Sequence, residues 1–145
     1  MQTLPTLARE GYYTVPSMAE LREMPAGRLT SLRGFRVGRV GYGEVRWVGD
    51  VDVTGLDLDS IVFIEEGDAS VYGDAEEHPG AAPKPAAGHD LNTAAVLVLE
   101  RVLPSSGVPV SMFEEELAKS LQAAGATHLS YDGEVGRWMF AVPSF

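Results

Sequence analysis

Near its C-terminal end the chain alternates. In RWMFAV (137–142), Trp138, Phe140 and Val142 fall on one side of an extended backbone, and Met139 and Ala141 fall on the other. The spacing predicts a strand with a buried aromatic face, paired on both sides. HLSY precedes it through DGEVG, which predicts a hairpin with Asp132–Gly133 in the turn. The same period runs through FRVGRVGYGEVRWVGDVDV (35–53), where Val45, Trp47, Val51 and Val53 share a side and charged residues intervene. Gly41 and Gly43 interrupt that run and predict a hairpin or bulged bend. Further strands are expected at GYYTV (11–15), at the apolar run Ile61 to Ile64 (buried on both faces), at Ala69–Tyr72 after a turn at Glu66–Asp68, and at TAAVLVLERV.

Two segments carry helical signals. In SMAELREM (17–24), Ser17 and Glu20 form a capping box, and Pro25 with Gly27 stops the helix. In the second, Ser111 and Glu114 predict another capping box. Phe113, Leu117, Leu121 and Ala124 then form one apolar stripe, and Gly125 predicts a left-handed cap. GDAEEHPGAAPKPAAGHD (73–90) has Pro and Gly but no periodicity and predicts a mobile loop, with LPSSGVP a second, shorter turn. Long helices do not alternate with strands. The expected class is therefore α+β: one domain, 1–145, with a bent, mainly antiparallel, sandwich-like sheet flanked by two helices.

Composition narrows the chemistry. There are 21 acidic and 11 basic residues, for a net charge of −10. Direct nucleic-acid binding needs a positive footprint and is not expected. There is no cysteine, so disulfides and thiolate metal sites are excluded. No apolar run is long enough to span a membrane, and MQTLPTLAREGYY lacks the pattern of a signal peptide.

Local motifs offer little. DVDVTG (50–55) opens like a calcium loop with Asp50, Asp52, Thr54 and Gly55, but Ile61 stands where a bidentate Glu is required. GRVGYG (38–43) is not a phosphate-binding fingerprint, and His78, His89 and His128 lack ligand spacing. No GxSxG elbow is present. No metal or cofactor is expected.

Four stretches nevertheless stand in register with a known family: GYYTVPSMAEL (11–21), FRVGRVGYGEVRWVGDVDVTGLDLDSIVFI (35–64), KPAAGHDLN (84–92) and DGEVGRWMFAVPSF (132–145). Together they resemble the nucleoporin autoproteolytic domain of GLFG-repeat nucleoporins. The resemblance implies a nuclear pore protein that cuts its own precursor after the Phe of a His-Phe-Ser motif. Ser acts as nucleophile, His as general base, and an ester is the intermediate. It implies that Phe145 precedes the scissile bond, so that this end is either a cleavage product or a boundary matching one. It also implies that the domain then holds its own released tail or the N-terminal peptide of a scaffold nucleoporin, and docks on a β-propeller nucleoporin.

Two departures qualify these implications. Ser144 occupies the family's His position, and the nucleophilic Ser is not in the sequence. In animal relatives the loop at Pro104, Ser105 and Ser106 carries a Lys that enters the propeller, and here it has no basic residue. The expected role is anchoring at the nuclear pore through a groove beside Phe145. The alternative is an active self-processing serine protease in the precursor.

Overall fold

The computed structural model describes residues 4–73, 80–122 and 125–145. His78 and Ala124 lie outside them. The chain opens with strand β1 (Tyr12–Val15) and helix α1 (Met18–Glu23). Ser17 caps α1 as its sequence predicts: its hydroxyl accepts from the Glu20 N–H, and the Glu20 carboxylate accepts from the Ser17 N–H. A one-turn helix α2 (Ala26–Leu29) leads into the hairpin of β2 (Arg36–Arg39) and β3 (Gly43–Trp47). Helix α3 (Leu58–Ile61) and the hairpin β4 (Val62–Glu65) and β5 (Asp68–Val71) follow. Strand β6 (Ala95–Leu99), helix α4 (Val110–Gln122) and the hairpin β7 (Thr127–Asp132) and β8 (Arg137–Val142) complete the fold.

Six strands form one antiparallel sheet in the order β1-β2-β3-β6-β8-β7, while β4 and β5 pair only with each other. The smaller hairpin packs across β2, β3 and β6, so the fold has two β layers. Between them lie Phe35, Val37, Val45, Val62, Ile64 and Leu91, all fully buried. Each large aliphatic side chain buried in this way contributes roughly 1.5–3 kcal/mol. Helix α4 covers β7, and Phe113 meets Tyr131 edge-on with ring centroids 5.5 Å apart. Among the described residues no helix is long and apolar enough to cross a membrane.

The expected α+β class and antiparallel sheet are present, with local differences. There are four helices among the described residues rather than two. Ile61 closes a helical turn, and the strand begins at Val62. Ile61, Val62 and Ile64 are buried, while Phe63 lies under the Arg9 guanidinium with 4.9 Å to its ring centre. Val51 and Val53 are buried beyond the end of β3; Val51 makes a single bridge to Leu32. The Ser111–Glu114 capping box does not form. Phe113 N–H already bonds the Pro109 carbonyl at 3.0 Å, so Ser111 sits inside the first turn. The Glu114 carboxylate is drawn instead to His128 Nε2, 2.9 Å away. Gly125 does take the left-handed conformation, with φ +72°.

Candidate functional site

Strand β8 is central, as its alternation predicts. It pairs with β6 on one side and β7 on the other, and Trp138 and Phe140 are buried while Val142 is half-buried. The strand ends at Val142 rather than at the last residue. The β6–β8 register nevertheless carries on. Ala95 faces Val142 in its last pair; continued two and three steps further, this register would set Thr93 opposite Ser144 and Asn92 opposite Phe145. The last of these is realised through a side chain: Phe145 N–H donates to Asn92 Oδ1 at 2.5 Å.

Asn92 is 4% exposed and is held from several sides. Its Nδ2 donates to the Pro85 carbonyl at 2.8 Å, its N–H to the His89 carbonyl at 2.9 Å, and its own carbonyl accepts from Gly88 N–H at 2.7 Å. The stretch KPAAGHDLN thus folds into a compact turn around one buried amide. Gly88 supplies a positive φ of 92° that this turn requires. A short side-chain amide suits the place because it offers an acceptor and a donor in fixed opposition.

The Phe145 ring packs against Trp47, with centroids 6.3 Å apart, and Trp47 packs in turn against Phe35 at 5.6 Å. Trp47 Nε1 donates to the Leu91 carbonyl at 2.9 Å, so the same turn that presents Asn92 also fixes the indole. Leu91 N–H donates to the Tyr72 hydroxyl at 3.3 Å. Burial pushes the Tyr72 phenol above its ordinary range and outweighs that bond, and the nearby Asp90 charge adds to the rise. Phe145 is therefore anchored by one amide and one aromatic ring, both supplied by segments remote in sequence.

The residues singled out from sequence fall into two places. Ser144 and Phe145 are half-buried at the open end of β8. Pro104, Ser105 and Ser106 lie beyond the other end of β6, in a surface turn closed by Val108 N–H to the Ser105 carbonyl at 3.1 Å. The five residues of β6, about 17 Å of extended chain, lie between the two places. His128, on β7, is engaged by Glu114 and by the Trp138 indole N–H, which donates to its Nδ1 at 3.1 Å. His89 is exposed. Asp50 is bonded by Ser31 and Arg33, and Asp52 caps the Thr54 N–H. Asn92 and Trp47 carry no sequence signal for their role at Phe145, beyond their presence in two of the matched stretches.

A family model described as "Nucleoporin2: Nup98-96 autopeptidase S59" matches residues 9–145. The chain belongs to the nucleoporin autopeptidase family. It is similar to the nuclear pore complex protein Nup98-Nup96 of Dictyostelium discoideum, 35% identical over 97% of this chain and 7% of that protein. It is also similar to the nuclear pore complex protein NUP96 of Arabidopsis thaliana, 34% identical over the whole chain and 14% of that protein. The chain thus spans a small part of the length of the relatives it matches. Among solved structures, the Nup145N APD of Chaetomium thermophilum, a mutant fused to Nup145C N, superposes with a TM-score of 0.76 at 30% identity, covering 92% of this chain and 94% of that one. The fold is that of the nucleoporin autopeptidase domain, and the chain is a nucleoporin domain of the nuclear pore.

Proposed function

We propose that this domain anchors its parent nucleoporin at the pore by holding a short peptide in a groove beside Phe145. The peptide is the segment that follows the family's cleavage position or the N-terminal peptide of a scaffold nucleoporin. The observation that carries this reading is the anchoring of Phe145 by Asn92 and Trp47. A residue whose N–H and ring are both fixed presents its carbonyl, and whatever follows or abuts it, in one orientation. The similarity to a nucleoporin domain solved as a fusion with Nup145C N supports the same reading.

Self-cleavage after Phe145 is the family's reaction, with Phe145 as the residue before the scissile bond. Here Ser144 stands at the His position. A hydroxyl does not ionise near neutrality and is no substitute for imidazole as a general base. Asn92 and Trp47, which touch Phe145, supply no base either. The domain is therefore assigned a holding role rather than an efficient protease role. The turn at Pro104, Ser105 and Ser106 is the proposed contact for a β-propeller nucleoporin, made without a basic side chain.

Titration calorimetry with the N-terminal peptide of the cognate scaffold nucleoporin tests the groove. Saturable heat, with amide shifts at Phe145 and Asn92, is expected. No heat and no shift at millimolar peptide would overturn the proposal.

A further inference from the structure

The face of the six-stranded sheet that looks away from the core carries a charge pattern opposed to the charge of the whole chain. The antiparallel registers align Tyr13, Gly38, Glu44, Val98 and Met139 in one row across β1, β2, β3, β6 and β8. The Tyr13 ring lies over Gly38 so closely that a Cβ there would come within 2.3 Å of it, which leaves the row a low floor. Val98 is buried and Met139 half-buried, so the middle of the row is apolar. Arginines rise on both banks. Arg36 and Arg46, cross-strand partners, stand on one side and Arg137 on the other, with the Arg101 guanidinium beside Gly41 at the rim; Arg39, at the β2–β3 turn, points to the core side instead and donates to the Ile64 carbonyl at 2.8 Å. A cleft of about 580 Å³ follows the row.

Four of the nine arginines in a chain of net charge −10 gather here: Arg36, Arg46, Arg101 and Arg137. The carboxylates among them are already engaged. Glu44 is 8% exposed and takes bonds from Arg46 Nε at 2.6 Å and Tyr13 Oη at 3.1 Å, with Arg36 at 3.8 Å. Glu100 takes Arg137 Nε at 2.8 Å, and Asp132 is the cross-strand neighbour of Arg137. Each guanidinium has five N–H donors in a planar fork, and one carboxylate contact leaves most of them unspent. The Arg46 and Arg137 side chains remain 38% and 52% exposed.

We infer that this trough binds an acidic, extended peptide of a partner protein, with its carboxylates on the two arginine banks and an apolar side chain over Val98 and Met139. Four inter-strand spacings make the row about 19 Å long, which matches about six extended residues. The fixed Glu44 and Glu100 charges between the arginines oppose a dense polyanion and suit a ligand whose charges are spaced. The trough lies at the Val98–Glu100 end of β6, whereas Asn92 and Phe145 lie beyond its other end. The inference is therefore independent of the peptide groove proposed above.

The test is fluorescence anisotropy on the whole chain with a labelled octapeptide of alternating Glu and Val, its Lys–Val counterpart, and inorganic polyphosphate as competitor. The acidic peptide is expected to bind and to weaken about tenfold when salt rises to about 300 mM. The pair Arg46→Ala and Arg137→Ala should weaken it at least as much, with folding checked by circular dichroism. In the unaltered protein, methyl shifts should centre on Val98 and Met139, a readout that does not depend on any variant folding. Lack of binding at millimolar peptide, equal binding of the Lys peptide, full displacement by polyphosphate at equal charge, or shifts centred on Val142 would each overturn the inference.

Discussion

Phe145 donates its backbone N–H to the Oδ1 of Asn92 at 2.5 Å, across 53 residues of sequence. The bond extends the β6–β8 pairing past the point where the strand itself stops, with a side-chain amide standing in for a backbone carbonyl. Asn92→Ala leaves the Phe145 N–H and the Pro85 carbonyl without partners. The expected loss is about 1–3 kcal/mol in urea denaturation. Phe145 amide exchange should accelerate in the same variant and stay slow in Asn92→Asp, which keeps the acceptor. Unchanged protection of Phe145 in Asn92→Ala would count against the anchor.

Phe140 is 9% exposed and stacks against Trp138, with centroids 4.5 Å apart. Its strand is paired on both sides, so the neighbours of a deleted ring cannot easily close in. Phe140→Ala should cost about 3–5 kcal/mol. A change under about 1 kcal/mol would mean that β8 is not central to stability.

Alkaline pH should destabilise the fold through Tyr13. Burial raises its phenol above the usual value of 10.0, and the Glu44 charge and the hydrogen bond to Glu44 raise it further, against smaller opposing effects of Arg46 and Arg36. The unfolded chain then loses this proton at a lower pH than the folded one. The stabilisation is complete below about pH 10 and is lost as pH rises through the higher folded value. Melting temperatures from pH 8 to 12 should fall more steeply for the parent chain than for Tyr13→Phe. Parallel curves would show that Tyr13 is not the group responsible.

Extending the chain with Ser and a short tail after Phe145 should give at most slow self-cleavage. General-base help is worth roughly two to four orders of magnitude in rate, and Ser144 cannot give it. Ser144→His in the extended chain should restore rapid cleavage between Phe145 and the added Ser, seen by intact mass on fresh protein. Complete cleavage with Ser144 in place would mean that another side chain serves as base.

Amide exchange should also grade the loop that precedes β6. Residues Lys84 to Asn92 close on themselves through Gly88, His89 and Asn92, and Asn92 reaches back to Pro85. The bonded amides of Gly88, His89, Leu91 and Asn92 are expected to exchange more slowly than those of Gly80 and Ala81. Uniform exchange across both segments would contradict this.

What could be read from the sequence was what short-range physics decides. Ser17 and Glu20 cap α1 because both partners lie within one turn. The β2–β3 and β7–β8 hairpins follow from alternation and turn residues. The same capping pattern misled at Ser111 because Glu114 has a better partner in His128, 14 residues away and invisible to a local rule. Phe63 read as buried on hydrophobicity alone, but Arg9 covers it from a segment more than fifty positions earlier. The anchor of Phe145 was the least legible part. Trp47 and Asn92 reach it only once β3, β6 and β8 are laid side by side, and nothing in either residue's neighbourhood states that distance.

The place of β8 in the sheet also bears on how the domain carries load. A pull on Phe145 runs along the axis of β8, while its ladder bonds to β6 and β7 lie across that axis. Force in that direction strains both ladders together in shear, instead of unzipping one bond after another. A strand at the sheet's rim would have a single seam to resist with. Set between two neighbours, β8 resists with two, as the proposed anchoring role would require.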